Sequence, residues 1–358
     1  MTTSEMNASF RRELDDSEEK AIRDFCAAAD YFAIEQALGF PEILYRTRIT
    51  YFWLSDDRGI RSFAQINETT GCAHIWFGPV CDDPVMMIES VRRIADFYRR
   101  KGYWYLGIQP YRKSGPEADY IEYSLNRELR IKYLYNNENT KSSLEIDLGR
   151  SLNDISNHFS KGHKSAVTRA GKSGITLHDL NTPADLQDFV RIYEKMRNHR
   201  RIKGHTAEEI IGICNYIQEN RCGTVFLARD SNTELIGGSV FVYQGLSVRY
   251  LLSAADPFRR DLPVTHFIIY KAIERFKDLG YSYFDFWGYN HFARPDTQIY
   301  HINKFKKGFG GSFIFLMKKM NISLIRGGFE LFRFYSFLRN AKSGNLRFFK
   351  RSGSGGHD

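Results

Sequence analysis

Gly102-Tyr103-Trp104-Tyr105-Leu106-Gly107-Ile108 and Gly280-Tyr281-Ser282-Tyr283-Phe284-Asp285-Phe286 follow one pattern, Gly-Tyr-x-Tyr-apolar-x-apolar. Each heptapeptide reads as a glycine that stops a helix, followed by a strand. Working outward, the same elements precede both. Before the first, residues 42–54 alternate like a strand and Asp56-Asp57-Arg58-Gly59 signals a turn. Strands follow over 61–66 and 74–77. Pro84 then opens a helix whose Met87, Val91, Ala95 and Tyr98 share a face. Before the second, strands are expected over 224–228, 235–243 and 246–252, and a helix over 264–279 with Phe267, Ile268, Ala272, Ile273 and Phe276 inward. Three strands, a helix and a strand, given twice, predict a duplicated α+β domain.

The second copy has a helical preface. A helix is expected over 152–170, ending in the basic run Lys161, Lys164, Arg169 and Lys172. Thr182-Pro183-Ala184-Asp185 and Thr206-Ala207-Glu208-Glu209 each carry the signature of a capped helix start. The plan predicts domains at 1–147 and 148–320, then a tail at 321–358. With 358 residues, 42% hydrophobic and 15% aromatic, the chain can fill two cores, so disorder is not expected.

The start of the chain lacks the basic-then-apolar layout of a signal peptide, and no stretch is apolar for the ~18 residues a membrane span needs. Five scattered cysteines form no C-x-x-C pair, which suits reduced thiols in the cytoplasm. The ten histidines show no metal spacing, so no metal is expected. The net charge of +9 is unevenly placed. From Lys304 onward there are 12 Lys/Arg against Glu330 and Asp358, so the rest of the chain is nearly neutral. Phe329, Phe332, Phe334, Tyr335, Phe337, Phe348 and Phe349 interleave with that charge. Such a tail suits an anionic membrane surface, a lipid pyrophosphate or RNA, or a terminal helix packed back on the body. Residues 352–356, Ser-Gly-Ser-Gly-Gly, have the composition of a flexible linker.

Asp147-Leu148 before a basic helix, Ala170-Gly171-Lys172-Ser173-Gly174-Ile175, Ser253-Ala254-Ala255 and Tyr283-Phe284-Asp285-Phe286-Trp287-Gly288 together resemble the second domain of Fem-type transferases. Most specific is Ile302-Asn303-Lys304-Phe305-Lys306-Lys307-Gly308-Phe309-Gly310-Gly311, which is similar to the Phe-Lys-x-Gly-Phe-Gly signature of that family. The resemblance runs over about residues 42–315. It implies two tandem GNAT-like (acyl-CoA N-acyltransferase) domains with the acceptor between them, followed here by a basic aromatic C-terminal helical tail. The short stretch between Thr206 and Arg221 leaves no room for a coiled-coil arm, so the short type is implied. The implied activity is transfer of an aminoacyl group from aminoacyl-tRNA to a free amine of a peptidoglycan or other envelope precursor. The expected setting is the cytoplasm, peripheral to the inner membrane face.

Acyl transfer to an amine requires deprotonation, an oxyanion donor, protonation of the leaving group and close positioning. No Ser-His-Asp or Cys-His spacing stands out, so direct attack without a covalent enzyme intermediate is expected. The resemblance puts a functional lysine at Lys306, to stabilise an oxyanion or bind phosphate, with Lys304 as the alternative register. Asp285, an acid in an apolar strand, either handles the amine proton or caps the next loop. Tyr250, next to Arg249 and so on the opposite strand face, is either a hydroxyl donor or a core tyrosine; Ser253 follows it. Arg200 and Arg201 end a helix and suit phosphate or the helix dipole.

Ordinary GNAT enzymes cradle a CoA pyrophosphate on a glycine-rich turn. Here that turn, 254–263, has no glycine and two prolines, which disfavours CoA; Arg259 and Arg260 still offer side-chain donors. Aminoacyl-tRNA is therefore the expected co-substrate and no bound cofactor is expected. The alternative is an acyl-CoA-dependent N-acyltransferase acting on an amino sugar of a surface polysaccharide or lipopolysaccharide precursor. A third reading is a non-catalytic RNA- or membrane-binding protein on the same scaffold.

Overall fold

A computed structural model describes residues 6–44, 47–134, 141–202 and 204–342. The linker-like 352–356 and the tail aromatics Phe348 and Phe349 lie outside the described residues. The first half lays down β1 (Asn7–Arg11), α1 (Asp16–Ala28), a 3-10 turn (Ile34–Gln36), α2 (Phe40–Leu44), β2 (Arg48–Asp56), β3 (Gly59–Thr69) and β4 (Cys72–Trp76). Helix α3 (Pro84–Arg100) leads to β5 (Tyr105–Gln109), α4 (Pro116–Asn126) and β6 (Ile131–Lys132). The second half opens with β7 (Ser142–Asp147), α5 (Leu152–Asn157), α6 (Lys161–Lys172), β8 (Thr176–Asp179), α7 (Pro183–Arg200) and α8 (Ala207–Glu219). It continues with β9 (Gly223–Arg229), β10 (Leu235–Gln244), β11 (Ser247–Ala255), α9 (Val264–Asp278), β12 (Tyr283–Asp285), α10 (Gln298–Lys307) and β13 (Ser312–Phe315), and ends with β14 (Met320–Ser323) and α11 (Gly328–Lys342).

Two seven-stranded sheets result among the described residues, ordered β1-β2-β3-β4-β5-β14-β6 and β13-β7-β12-β11-β10-β9-β8. The repeat read from the two heptapeptides is present in space. Antiparallel β2-β3-β4 hands on through α3 to β5, parallel to β4; antiparallel β9-β10-β11 hands on through α9 to β12, parallel to β11. The fold is α+β, with two domains built on one plan. The stop glycines do what their place demands: Gly102 and Gly280 have φ of +75° and +85°, which costs a side-chain-bearing residue. The inward faces of α3 and α9 pack on their own sheets, giving each domain a separate core.

The structure departs from the sequence reading in four places. Residues 42–54 are not one strand. Pro41 sits in the first turn of α2, which buries Phe40 against α8 of the second domain, and the strand begins only at Arg48. The helix expected over 152–170 is two, because Phe159 turns into the core and Ser160 starts a fresh cap, its hydroxyl accepting from the His163 amide. The boundary at 147 falls on the wrong side of β7, whose Leu144 and Ile146 fill the second core and which pairs with β12 and β13. The boundary at 320 likewise cuts β14 from its place: Met320 and Ile322 fill the first core, and the strand pairs with β5 and β6. The start of the tail is therefore a structural part of the first domain.

Candidate functional site

Strands β11 and β12 are paired only through Ser247–Arg249 and Tyr283–Asp285. Beyond that point the two parallel strands part. Leu251 is an extra residue in β11, a bulge opposite the Val240–Phe241 step that re-aims the rest of the strand. On the other side, Trp287 and Gly288 take left-handed φ of +48° and +59° and carry the chain sharply away from β12. The opening is a cleft of about 1010 Å³, lined by Tyr250 and Ser253 of β11, Arg200 of α7, Arg260 of the following turn, Trp287, and Lys306 of α10.

Lys306 forms part of the wall although it is only 8% exposed. Its ammonium donates to the carbonyl oxygens of Trp287 and Gly288, the latter at 3.1 Å. An ammonium has three N–H donors, so one stays available to a substrate oxygen. Burial drives its pKa down to about 8, against the pull of the nearby Asp285 carboxylate. A lysine in this state can stand as a donor to developing negative charge and can surrender a proton near neutral pH.

Asp285 lies behind the cleft wall. One carboxylate oxygen accepts from the Ser143 hydroxyl and, at 2.7 Å, from the Trp287 amide. It therefore shapes the Trp287 turn, as a loop-capping acid does. In register across the sheet, Glu145, Asp285 and Arg249 stand side by side on β7, β12 and β11. Charges from the first domain close this row at both ends: Lys113 bonds Glu145 at 2.8 Å, and Glu35 takes Arg249 at 3.0 Å through each oxygen. Burial, the largest influence, pushes the Glu145 carboxyl upward.

Tyr250 borders the cleft with its phenol pushed up to about 12 by burial, while the Ser253 and Ser239 hydroxyls and Arg200 pull the other way. It stays protonated at neutral pH and can donate a hydrogen bond. At the rim, an Arg260 guanidinium nitrogen lies 2.8 Å from the His199 ring nitrogen and its Nε donates to the Pro257 carbonyl at 3.1 Å. Among the described residues, no group of three His, Cys, Asp or Glu side chains is arranged to hold a metal ion.

This layout has counterparts among solved structures. FemX aligns with a TM-score of 0.76 over 90% of this chain and 99% of its own, at 13% identity. The fold is that of FemX. The C-terminal domain of a putative lysylphosphatidylglycerol synthetase from Agrobacterium fabrum aligns at 0.60 with 11% identity, covering 93% of this chain and 99% of that one. L-PGS from Bacillus licheniformis also aligns at 0.60 and 11%, over 92% and 98%. No protein-family model and no curated protein matches the sequence.

Within the FemX-like frame, the two domains are unequal. In the first, β4 and β5 stay paired to their ends, Trp76 opposite Gln109, and the Gln109 amide donates to the Met317 carbonyl at 3.0 Å. The place that opens in the second domain is zipped shut in the first. Five of the sequence-derived candidates line the one cleft: Lys306, Tyr250, Ser253, Arg200 and Arg260. Four do not. Lys304 is exposed on another face of α10; Arg201 is the left-handed cap of α7; Arg259 is drawn to Asp230 at 2.7 Å; Asp285 lies beneath. Sequence reasoning missed Trp287 as a wall residue and Arg249 as its support. A charged residue inside the apolar run Leu246-Ser247-Val248-Arg249-Tyr250-Leu251 was the available signal. Glu35 gave none, since its partner is 214 residues away.

Proposed function

We propose that this chain is an acyltransferase that moves an aminoacyl group from aminoacyl-tRNA to a free amine of a cell-envelope precursor by direct attack. The observation that carries this reading is the buried lysine and protonated tyrosine facing one cleft under a basic rim. The amine nitrogen forms a bond to the ester carbonyl carbon, and the carbonyl oxygen, becoming negative, takes the remaining Lys306 N–H. The C–O ester bond then breaks, and the leaving ribose oxygen gains a proton, for which the Tyr250 hydroxyl is suited. Among the described residues no carboxylate lines the cleft, so the proton lost by the amine goes to a neutral base; His301, on the cleft wall, has the right chemistry. Arg200 and Arg260 meet phosphates of the donor. On this reading the chain works in the cytoplasm beside the inner face of the membrane.

The donor choice rests on the turn after β11. The amides of Asp256, Phe258, Arg259 and Leu262 already donate within the protein, to Ile236, the Asp256 side chain, Asp256 and Arg259. Pro257 and Pro263 have no N–H. That leaves little of the backbone cradle a CoA pyrophosphate uses, and favours tRNA as donor. The test is incubation with charged total tRNA or with acetyl-CoA against amine-bearing envelope precursors, read by mass. Gain of one amino-acid residue, abolished by ribonuclease, is the expected result. Gain of an acetyl group from CoA would replace this reading with the acyl-CoA-dependent one.

A further inference from the structure

Helix α11 has two apolar faces, and the fold uses one. Phe329 is buried, Phe332 stacks on Tyr105 at 3.9 Å, and Tyr335 meets Trp104 edge-on at 5.9 Å. The other face carries Leu331, Phe334, Phe337 and Leu338, exposed by 46, 62, 56 and 43%. Spacings of three, four and seven residues align them as one stripe. Ile325, just before the helix, is also exposed. Large apolar side chains gathered along one stripe of helix surface mark a binding face rather than a chance exposure.

The surroundings say what it meets. A depression of about 570 Å³ at the start of α11 is lined by Arg130, Lys132, Arg326 and Glu330. Arg333 is exposed on the helix itself. Glu330 is engaged by Lys132, and no other acid occurs after it until Asp358. Basic side chains flanking an apolar stripe complement anionic headgroups above acyl chains. A second copy of the chain fits poorly, because two-fold pairing of this face would bring arginines against arginines. Single-stranded RNA fits poorly too, because Leu331, Leu338 and Ile325 offer no ring for base stacking.

We propose that the outer face of α11, with Arg130, Arg326 and Arg333 around it, is a docking surface for an anionic lipid bilayer. The leucines and phenylalanines enter the headgroup–acyl boundary and the arginines engage lipid phosphates. This surface is separate from the cleft, since none of its residues lines it.

The test is sedimentation of the full chain with vesicles of phosphatidylglycerol and phosphatidylcholine, against phosphatidylcholine alone, across salt. Binding is expected only with the anionic vesicles and is weakened by salt. The exposed pair Phe334→Ser/Phe337→Ser and the pair Arg326→Glu/Arg333→Glu are each expected to lower vesicle affinity about tenfold or more, with unchanged melting temperature. No binding to anionic vesicles, or equal binding to both vesicle types that neither variant alters, overturns the proposal. So does a wild-type dimer in sedimentation equilibrium that Phe334→Ser/Phe337→Ser dissociates without vesicle binding, or a loss confined to tRNA binding.

Discussion

The guanidinium of Arg249 lies 3.6 Å from the centroid of the Trp287 ring, while the carbonyl of the same tryptophan accepts from Lys306. Arg249 is wholly buried, and its charge is met by Glu35 of the first domain. One contact thus ties the domain junction to the cleft lysine. Removing the carboxylate leaves a buried cation without its partner. Glu35→Gln is expected to destabilise by roughly 3–5 kcal/mol, read in chemical denaturation. The double variant Glu35→Gln/Arg249→Met removes both members of the pair and should cost less. The comparison fails if Glu35→Gln is neutral.

Lys306 carries its charge in a place that disfavours it. Its folded pKa, about 8, is below the ordinary 10.5, so the unfolded chain binds the proton more readily between those values. Stability from this group is therefore fully present above 10.5 and lost as pH falls through 8. Lys306→Met is expected to melt no lower than wild type at pH 7, and the difference should shrink toward pH 10. A mutant that is less stable at pH 7 than at pH 10, relative to wild type, would contradict this sign.

In the reaction, Lys306→Met is expected to lower kcat about 10²–10³-fold with little change in KM, because the bond forms to charge that develops in the transition state. If the ammonium is the working form, kcat should fall as pH rises through about 8. A rise through the same range would make the lysine a base.

The two rim arginines and their neighbour separate binding from structure. Arg200→Ala and Arg260→Ala are each expected to raise the donor KM about tenfold, the loss of one charge-assisted hydrogen bond, with kcat kept. Arg259→Ala should leave KM unchanged and lower the melting temperature, because it strips Asp230 of its 2.7 Å partner. Equal KM effects at 259 and 260 would refute the assignment.

The glycines of the Phe-Lys-Lys-Gly-Phe-Gly-Gly run, Lys306 aside, are structural. Gly311 has φ +92°, and a Cβ there would lie 2.6 Å from the Glu145 carbonyl oxygen. Gly311→Ala is expected to cost about 1–3 kcal/mol in thermal or chemical unfolding and to loosen β13 from β7. A stability within error of wild type would show that the close approach relaxes freely.

Local chemistry was legible in the sequence. The paired Gly-Tyr-x-Tyr junctions, the capped helix starts and the alternating strands depend on residues a few positions apart, and they named the duplicated α+β plan and most of its elements. The signature around Lys306 and the basic end of α7 also led to residues that line the cleft. Tertiary structure decided whatever depended on distant partners. Residues 42–44 became helix because α8 covers Phe40; β14 crossed back because Met320 and Ile322 complete the first core. The cleft itself exists because β11 and β12 part where β4 and β5 do not, and no composition or spacing announces that. The same holds for Glu35 and Arg249: a charge is tolerated in a core only beside its opposite, and which opposite it meets is settled when the two domains close on each other.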